Sequence, residues 1–237
     1  MVELVLRRNG QLVPRVAGGS GTGTSGESPP CTYRLVEIPY GTDAYYAIGA
    51  PPSTEAVPYW LYCGGAVVRA FWIDPSDIVD LADVARGEAQ RYVETILAPS
   101  MSLGVSPPTF AVTGLPTWFW VDGWDGSDIA VPPINPFGET VEVFLRLESV
   151  TWDFGDGSPP AHADLGAAYP EESTVRHTYT HRSTSEATPD GSYPLSASVT
   201  IAVSYRLDGG PEQSVEPPLD TTVGGDVIVR QVQAVLD

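Results

Sequence analysis

The chain has 237 residues, 42% of them hydrophobic and 18% charged, enough apolar material for one large or two small cored domains. Its 30 acidic residues outweigh 12 basic ones, every one an arginine, for a net charge of −18. Such a surface repels phosphate backbones and anionic membranes, which argues against nucleic-acid binding and membrane-surface binding.

The opening "MVELVLRRNGQLVPR" has neither an apolar h-region nor a small-residue cleavage site, so it does not read as a signal peptide. No apolar run is long enough to span a bilayer. Residues 2–7 and 32–38 read as strands, separated by the Gly/Ser/Thr-rich stretch 17–30, which reads as a linker or loop. "GTGTSG" inside that stretch has the spacing of a dinucleotide-binding loop, but Pro29-Pro30 forbids the helix such a site needs. Cys31 and Cys63 are the only cysteines. A pair in an acidic, Gly/Pro/Ser-rich chain suits one disulfide outside the cytosol, with two separate buried thiols as the alternative.

Residues 65–73 read as a buried strand. A helix is then expected over about 75–98, with Asp74 as N-cap, Pro75 at the first position, and Ile78, Leu81, Ala82, Ala85, Ala89, Tyr92, Val93 and Ile96 on one face. Packed on the preceding strands, it would complete a small α+β region, residues 1–105.

From residue 106 the apolar period falls to two. Thr117–Val121, Val141–Leu147, Val150–Phe154, Val175–Tyr179, Ser192–Leu207 and 226–236 read as strands of an antiparallel sandwich spanning 106–237. In Thr117–Val121 the two tryptophans, Trp118 and Trp120, share one face and Phe119 takes the other. Core packing is the expected role of these aromatics, and an exposed strip for a sugar or protein is the alternative.

The stretch "SVTWDFGDGSPP", 149–160, contains the "DFG" of kinases, but a lysine-free chain without H-R-D has no kinase machinery. Here Val150, Trp152 and Phe154 point to a core, Gly155 and Gly157 permit a tight turn, and Asp153 and Asp156 can accept backbone N–H groups. "WDFGDGSP" followed by "VRHTYT" and "GSYPLSASVTIAV" resembles the PKD domain, an immunoglobulin-like β-sandwich found mostly outside cells. The resemblance covers about residues 106–237 and implies structural roles for Trp152, Asp153, Phe154, Gly155, Asp156, Gly157, His177 and Tyr179. "GLPTWFWVDGW" and "VQAVLD" resemble a narrower group of actinobacterial envelope-associated proteins, which implies an extracellular or cell-surface location. The chain departs from the usual domain in two long acidic segments, 159–174 and 182–190.

Asp122, Asp125 and Asp128 share a Gly-rich loop that is either an acidic turn or a calcium site, without EF-hand order. No other cofactor is indicated. His177 and His181 stand about 13 Å apart if extended, too far for one metal. No motif places a nucleophile beside a base. The expected function is therefore non-catalytic: protein–protein interaction or spacing in the cell envelope, with a partner of basic surface. A carbohydrate-binding module using Trp124 and nearby aromatics is the alternative, and a carboxylate-dependent hydrolase is a third class.

Overall fold

The computed structural model describes residues 5–8, 11–14, 31–35, 41–136, 139–183 and 191–232. The expected linker 17–30, most of segment 182–190 and the final "QAVLD" lie outside them. The protein is mainly β, with one main helix. Two compact units divide the chain, residues 1–84 and 85–237. Among the described residues no helix is long and apolar enough to cross a membrane.

The first unit holds two small sheets. In one, β1 (Val5–Arg8) pairs antiparallel with β2 (Gln11–Pro14) and parallel with β6 (Ile78–Asp80). In the other, β3 (Cys31–Leu35), β4 (Val57–Cys63) and β5 (Ala66–Ile73) run antiparallel, after a one-turn helix α1 (Asp43–Ala47) between β3 and β4. Leu61 and Ile73 are buried, with Tyr59, Cys63, Phe71 and Ile78 packed against them. The register sets Cys31 opposite Cys63. Facing residues of an antiparallel pair stand about 4.5–5.5 Å apart at Cα, within the reach of a disulfide.

The helix begins later than expected. Asp74 caps only a 3₁₀ turn, Pro75–Asp77, accepting from the Ser76 N–H at 3.0 Å. Ile78 and Val79 then extend and pair with β1, because β-branched residues favour a pleated ladder. The working cap is Asp80, which accepts from the Ala82 N–H at 3.0 Å. The helix α2 runs Leu81–Tyr92 and continues through a π turn, Val93–Leu97. Leu81, Ala85, Ala89, Val93 and Leu97 are buried, while Ile96, expected on that face, is 49% exposed. A spacing of four overruns the 3.6-residue turn, and the wider π turn brings the stripe back into line.

In the second unit two sheets face each other. The larger has the order β10 (Ile129–Ile134), β11 (Val141–Asp153), β14 (Tyr193–Leu207), β15 (Gln213–Val227), with β12 (Ala161–Ala163) also on β11. The smaller has the order β13 (Arg176–Thr178), β9 (Pro116–Asp122), β7 (Ser102–Ser106). β8 (Ala111–Val112) pairs parallel with β16 (Val229–Arg230).

The two strands expected at Val141–Leu147 and Val150–Phe154 are one strand, β11. Its ladder to β14 shifts between Leu147 and Ser149. That bulge moves the buried positions from the odd residues Val141, Val143 and Leu145 to the even residues Val150 and Trp152. Of the strand expected at 226–236, residues 226–227 end β15, 229–230 form β16, and 233–236 lie outside the described residues. β15 buries one residue in four, Val215, Leu219, Val223 and Val227.

Two outcomes check this description. Trp152, with no exposed surface, should cost about 3–5 kcal/mol on Trp152→Ala, measured by chemical denaturation. A loss under about 1 kcal/mol would place it outside the core. Non-reducing peptide mapping of protein produced under oxidising conditions should yield a Cys31–Cys63 peptide pair. The closed loop should contribute about 3–4 kcal/mol, and two free thiols would contradict the pairing.

Candidate binding face

The bulge in β11 aims Trp152 and Phe154 at the facing sheet, where Phe119 meets them at centroid distances of 6.4 and 5.1 Å. The chain then turns sharply. Asp153 accepts from the Gly155 N–H at 2.9 Å and Asp156 from the Ser158 N–H at 3.1 Å. Gly155 has φ +72°, and a Cβ there would stand 2.1 Å from the Pro194 carbonyl oxygen, so no other residue fits. Gly157 has φ +83° in open space and is needed for conformation alone.

β13 completes the arrangement. His177 stacks on Phe154 at 4.3 Å, with its Nε2 2.8 Å from the second Asp156 carboxylate oxygen. Tyr179 meets His177 edge-on at 4.6 Å, stacks on Tyr193 at 5.4 Å, and donates its hydroxyl to the Phe154 carbonyl at 3.3 Å. The Trp152 indole N–H donates to the Asp164 carbonyl at 3.0 Å. Burial alone would raise the Asp156 pKa. Hydrogen bonds from Ser158 and His177 outweigh it and hold the carboxyl below its usual range. Burial, then the charge of Asp156, pushes the Tyr179 phenol well above its ordinary value, so it remains a donor. All eight residues that the resemblance singled out thus lie in or beside one turn, with side-chain and ring contacts that tie it to β13. His181, by contrast, is exposed.

The three loop aspartates have separate surroundings. Asp122 ends β9 and is exposed. Asp125 accepts from the Ser127 N–H at 2.9 Å, and hydrogen bonds from the Ser127 side chain and backbone lower its pKa. Asp128 pairs with Arg146 at 2.8 Å. That guanidinium also binds Glu212, which is held down to about 2 by Arg146, Ser204 and Arg206. Among the described residues no three carboxylates, imidazoles or thiols are grouped to hold a metal.

The outer face of the smaller sheet follows from the pleat. Thr117, Phe119 and Val121 are buried, so Trp118 and Trp120 point the other way and are half-buried. Trp118 pairs across the ladder with Arg176, whose guanidinium lies 5.1 Å from its ring centroid. Tyr169, 66% exposed, flanks it at 5.9 Å. Trp120 lies across from Gly104, where a Cβ would collide with the indole at 2.0 Å. Trp124, the aromatic of the carbohydrate-binding alternative, is only 7% exposed, with its indole N–H donated to the Ser127 carbonyl at 2.9 Å. Such a ring offers little surface for a sugar to stack on.

The acidic segment 159–174 is fastened to the edge of β9. Val121 N–H donates to Leu165 O at 2.8 Å, and Phe119 N–H donates to Val175 O at 3.0 Å. The buried Ser173 hydroxyl donates to Phe119 O at 2.9 Å and accepts from the Ala167 N–H at 3.1 Å. Between this loop and the β9 end lies an open cleft of about 560 Å³, walled by Trp120 and Trp124 with Asp122, Asp125 and Glu171. Glu171 and Tyr169 were not singled out from the sequence; "DLGAAYPEES" reads there only as part of an acidic insertion. Comparison with protein-family models, with curated proteins and with solved structures finds no match.

The folded pKa of Asp156 lies below its unfolded value, so its stabilising contribution is present above about pH 4 and is lost as pH falls further. Asp156→Ala should cost about 1–3 kcal/mol at neutral pH. The stability gap to the parent should shrink toward about pH 2. A gap unchanged by acid in denaturation experiments would contradict this role.

Proposed function

We propose that this protein is a non-catalytic recognition module of the cell envelope or extracellular space, and that its partner is a protein with a basic surface. The observation that carries the reading is the cleft between the 159–174 loop and the end of β9, lined by Asp122, Asp125 and Glu171 and, among the described residues, by no basic one. A net charge of −18 extends the same preference over the whole chain. A sandwich with a rigid turn and a loop fastened to its edge is a platform on which such a face keeps its shape. The buried Trp152, the Asp153–Gly157 turn and the His177–Asp156 pair support the resemblance to PKD domains, from which the location is taken. His177, held between Asp156, Phe154 and Tyr179, is occupied in structure, which supports a binding role over a catalytic one.

Immobilised full-length protein should capture such a partner from a native envelope fraction. Association of the purified pair should slow about tenfold or more between about 0.05 and 0.5 M salt, because screening removes long-range steering. A rate independent of salt would contradict a basic partner. Turnover of a glycan or peptide, abolished by changing one carboxylate, would contradict a non-catalytic role.

A further inference from the structure

We infer that the outer edge of β7 is a docking edge, on which an extended segment of the protein partner adds as a further strand of the smaller sheet. The inference rests on the reading of the protein as a recognition module and names the surface that takes the partner.

The ladder leaves this edge unpaired. The Phe119 and Val121 N–H groups donate away from β7, to Val175 and Leu165. Main-chain groups of an antiparallel strand alternate in direction, so those of Trp120 face β7, where Gly104 is its partner. Leu103 and Val105 therefore turn their N–H and C=O groups away from β9, and among the described residues no backbone bond meets them there. Unmet main-chain groups at strand spacing are matched by another extended chain, which is the basis of recognition by strand addition. The edges of the two facing sheets are otherwise blunted in ways that discourage such pairing. β10 carries Pro132-Pro133, β15 carries Pro217-Pro218, and β12 and β13 are three residues each. β7, "SLGVS", has neither proline nor charge.

A groove of about 440 Å³ lies along this edge, with Leu103, Val105, Phe110, Trp120, Asp226 and Ile228 among its walls. Leu103 and Val105 are only half-buried, and Ile228 is 43% exposed. A pleated segment would lay alternate apolar side chains against them. The Trp120 indole lies over Gly104, and its N–H is buried with no acceptor among the described residues. A buried donor left unmet is costly, and a carbonyl of the incoming backbone would relieve it. Asp226 is the one charged residue lining the groove, which favours a segment with a basic residue. A second copy of the chain is a poor occupant, since each carries −18 and strong like charge keeps proteins monomeric.

The probe is a library of short peptides drawn from Val, Ile, Leu, Thr and Lys, displayed on phage and selected on the immobilised full-length protein. Selected peptides, made synthetically, should carry apolar residues at alternate positions and should shift the Trp120 indole N–H resonance, assigned by Trp120→Phe. N-methylation of every second residue removes the donors along one edge of an extended peptide and keeps its side chains. In one register it should abolish binding, and in the other it should change binding by less than about twofold, because only one edge faces β7. Val105→Pro removes an outward N–H and spares the β9 ladder, which an edge strand tolerates. It should weaken binding about tenfold or more, whereas Val105→Ala, which keeps that N–H, should weaken it by less than about threefold. The methylation comparison uses the unaltered protein and so decides the matter even if Val105→Pro fails to fold. No selected peptide, or peptides indifferent to both methylation patterns, would overturn the edge. A native partner captured equally by the parent and by Val105→Pro would also overturn it and leave the recognition reading standing. A dimer of the free protein that Val105→Pro dissolves would assign the edge to a second copy instead.

Discussion

The second unit depends on where Phe119 points. Its ring is fully buried and touches Trp152 on β11, Phe154 just after it, and Tyr179 just after β13. Once that ring is inside, the pleat leaves its neighbours no choice. Trp118 and Trp120 must stand on the outer face, opposite Arg176 and Gly104. A slip of one residue would bury both indoles and turn Phe119 to solvent, so one buried contact sets both the core and the outer aromatic face.

The turn after β11 serves the same constraint from the other sheet. The bulge near Glu148 brings Trp152 and Phe154 into phase with Phe119, and the turn must then reverse the chain without withdrawing them. Gly155 lets the backbone pass against Pro194, Asp153 and Asp156 satisfy the exposed amides, and the His177–Asp156 bond ties the turn to β13. Polar groups at a bend are costly unless paired, and here Asp156 is paired both within the turn, to Ser158, and across to His177 on β13. Chemistry-bearing residue types thus serve as structure.

Much of this was legible in the sequence. The alternation of Tyr193 through Leu207, the inward set Val150, Trp152 and Phe154, and the glycine turn all describe the sandwich that is seen. Other features were hidden for identifiable reasons. β15 carries Pro217-Pro218 and Gly224-Gly225 and buries only every fourth residue, so its period of two is masked by small or turn-forming positions. β10 contains Pro132-Pro133, which reads as a loop but is tolerated on the outer strand of a sheet. Asp74 and Asp80 both suit a helix cap, and pairing with β1 decided between them. The cleft was the least legible part. Asp122 and Asp125 belong, with Asp128, to one Gly-rich loop that reads as an acidic turn or a calcium site, whereas Glu171 lies some 46 residues beyond Asp125, outside any local pattern.

The orientation of β9 is the claim on which both core and face rest, and hydroxyl-radical footprinting of the intact protein reads it directly, tryptophan by tryptophan. Trp118 and Trp120, half-buried on the outer face, should be oxidised well ahead of Trp152 and Trp124. Protection of Trp118 and Trp120 at the level of Trp152 would mean that the strand faces the other way, and neither the Phe119-centred core nor the acidic aromatic cleft would survive that result.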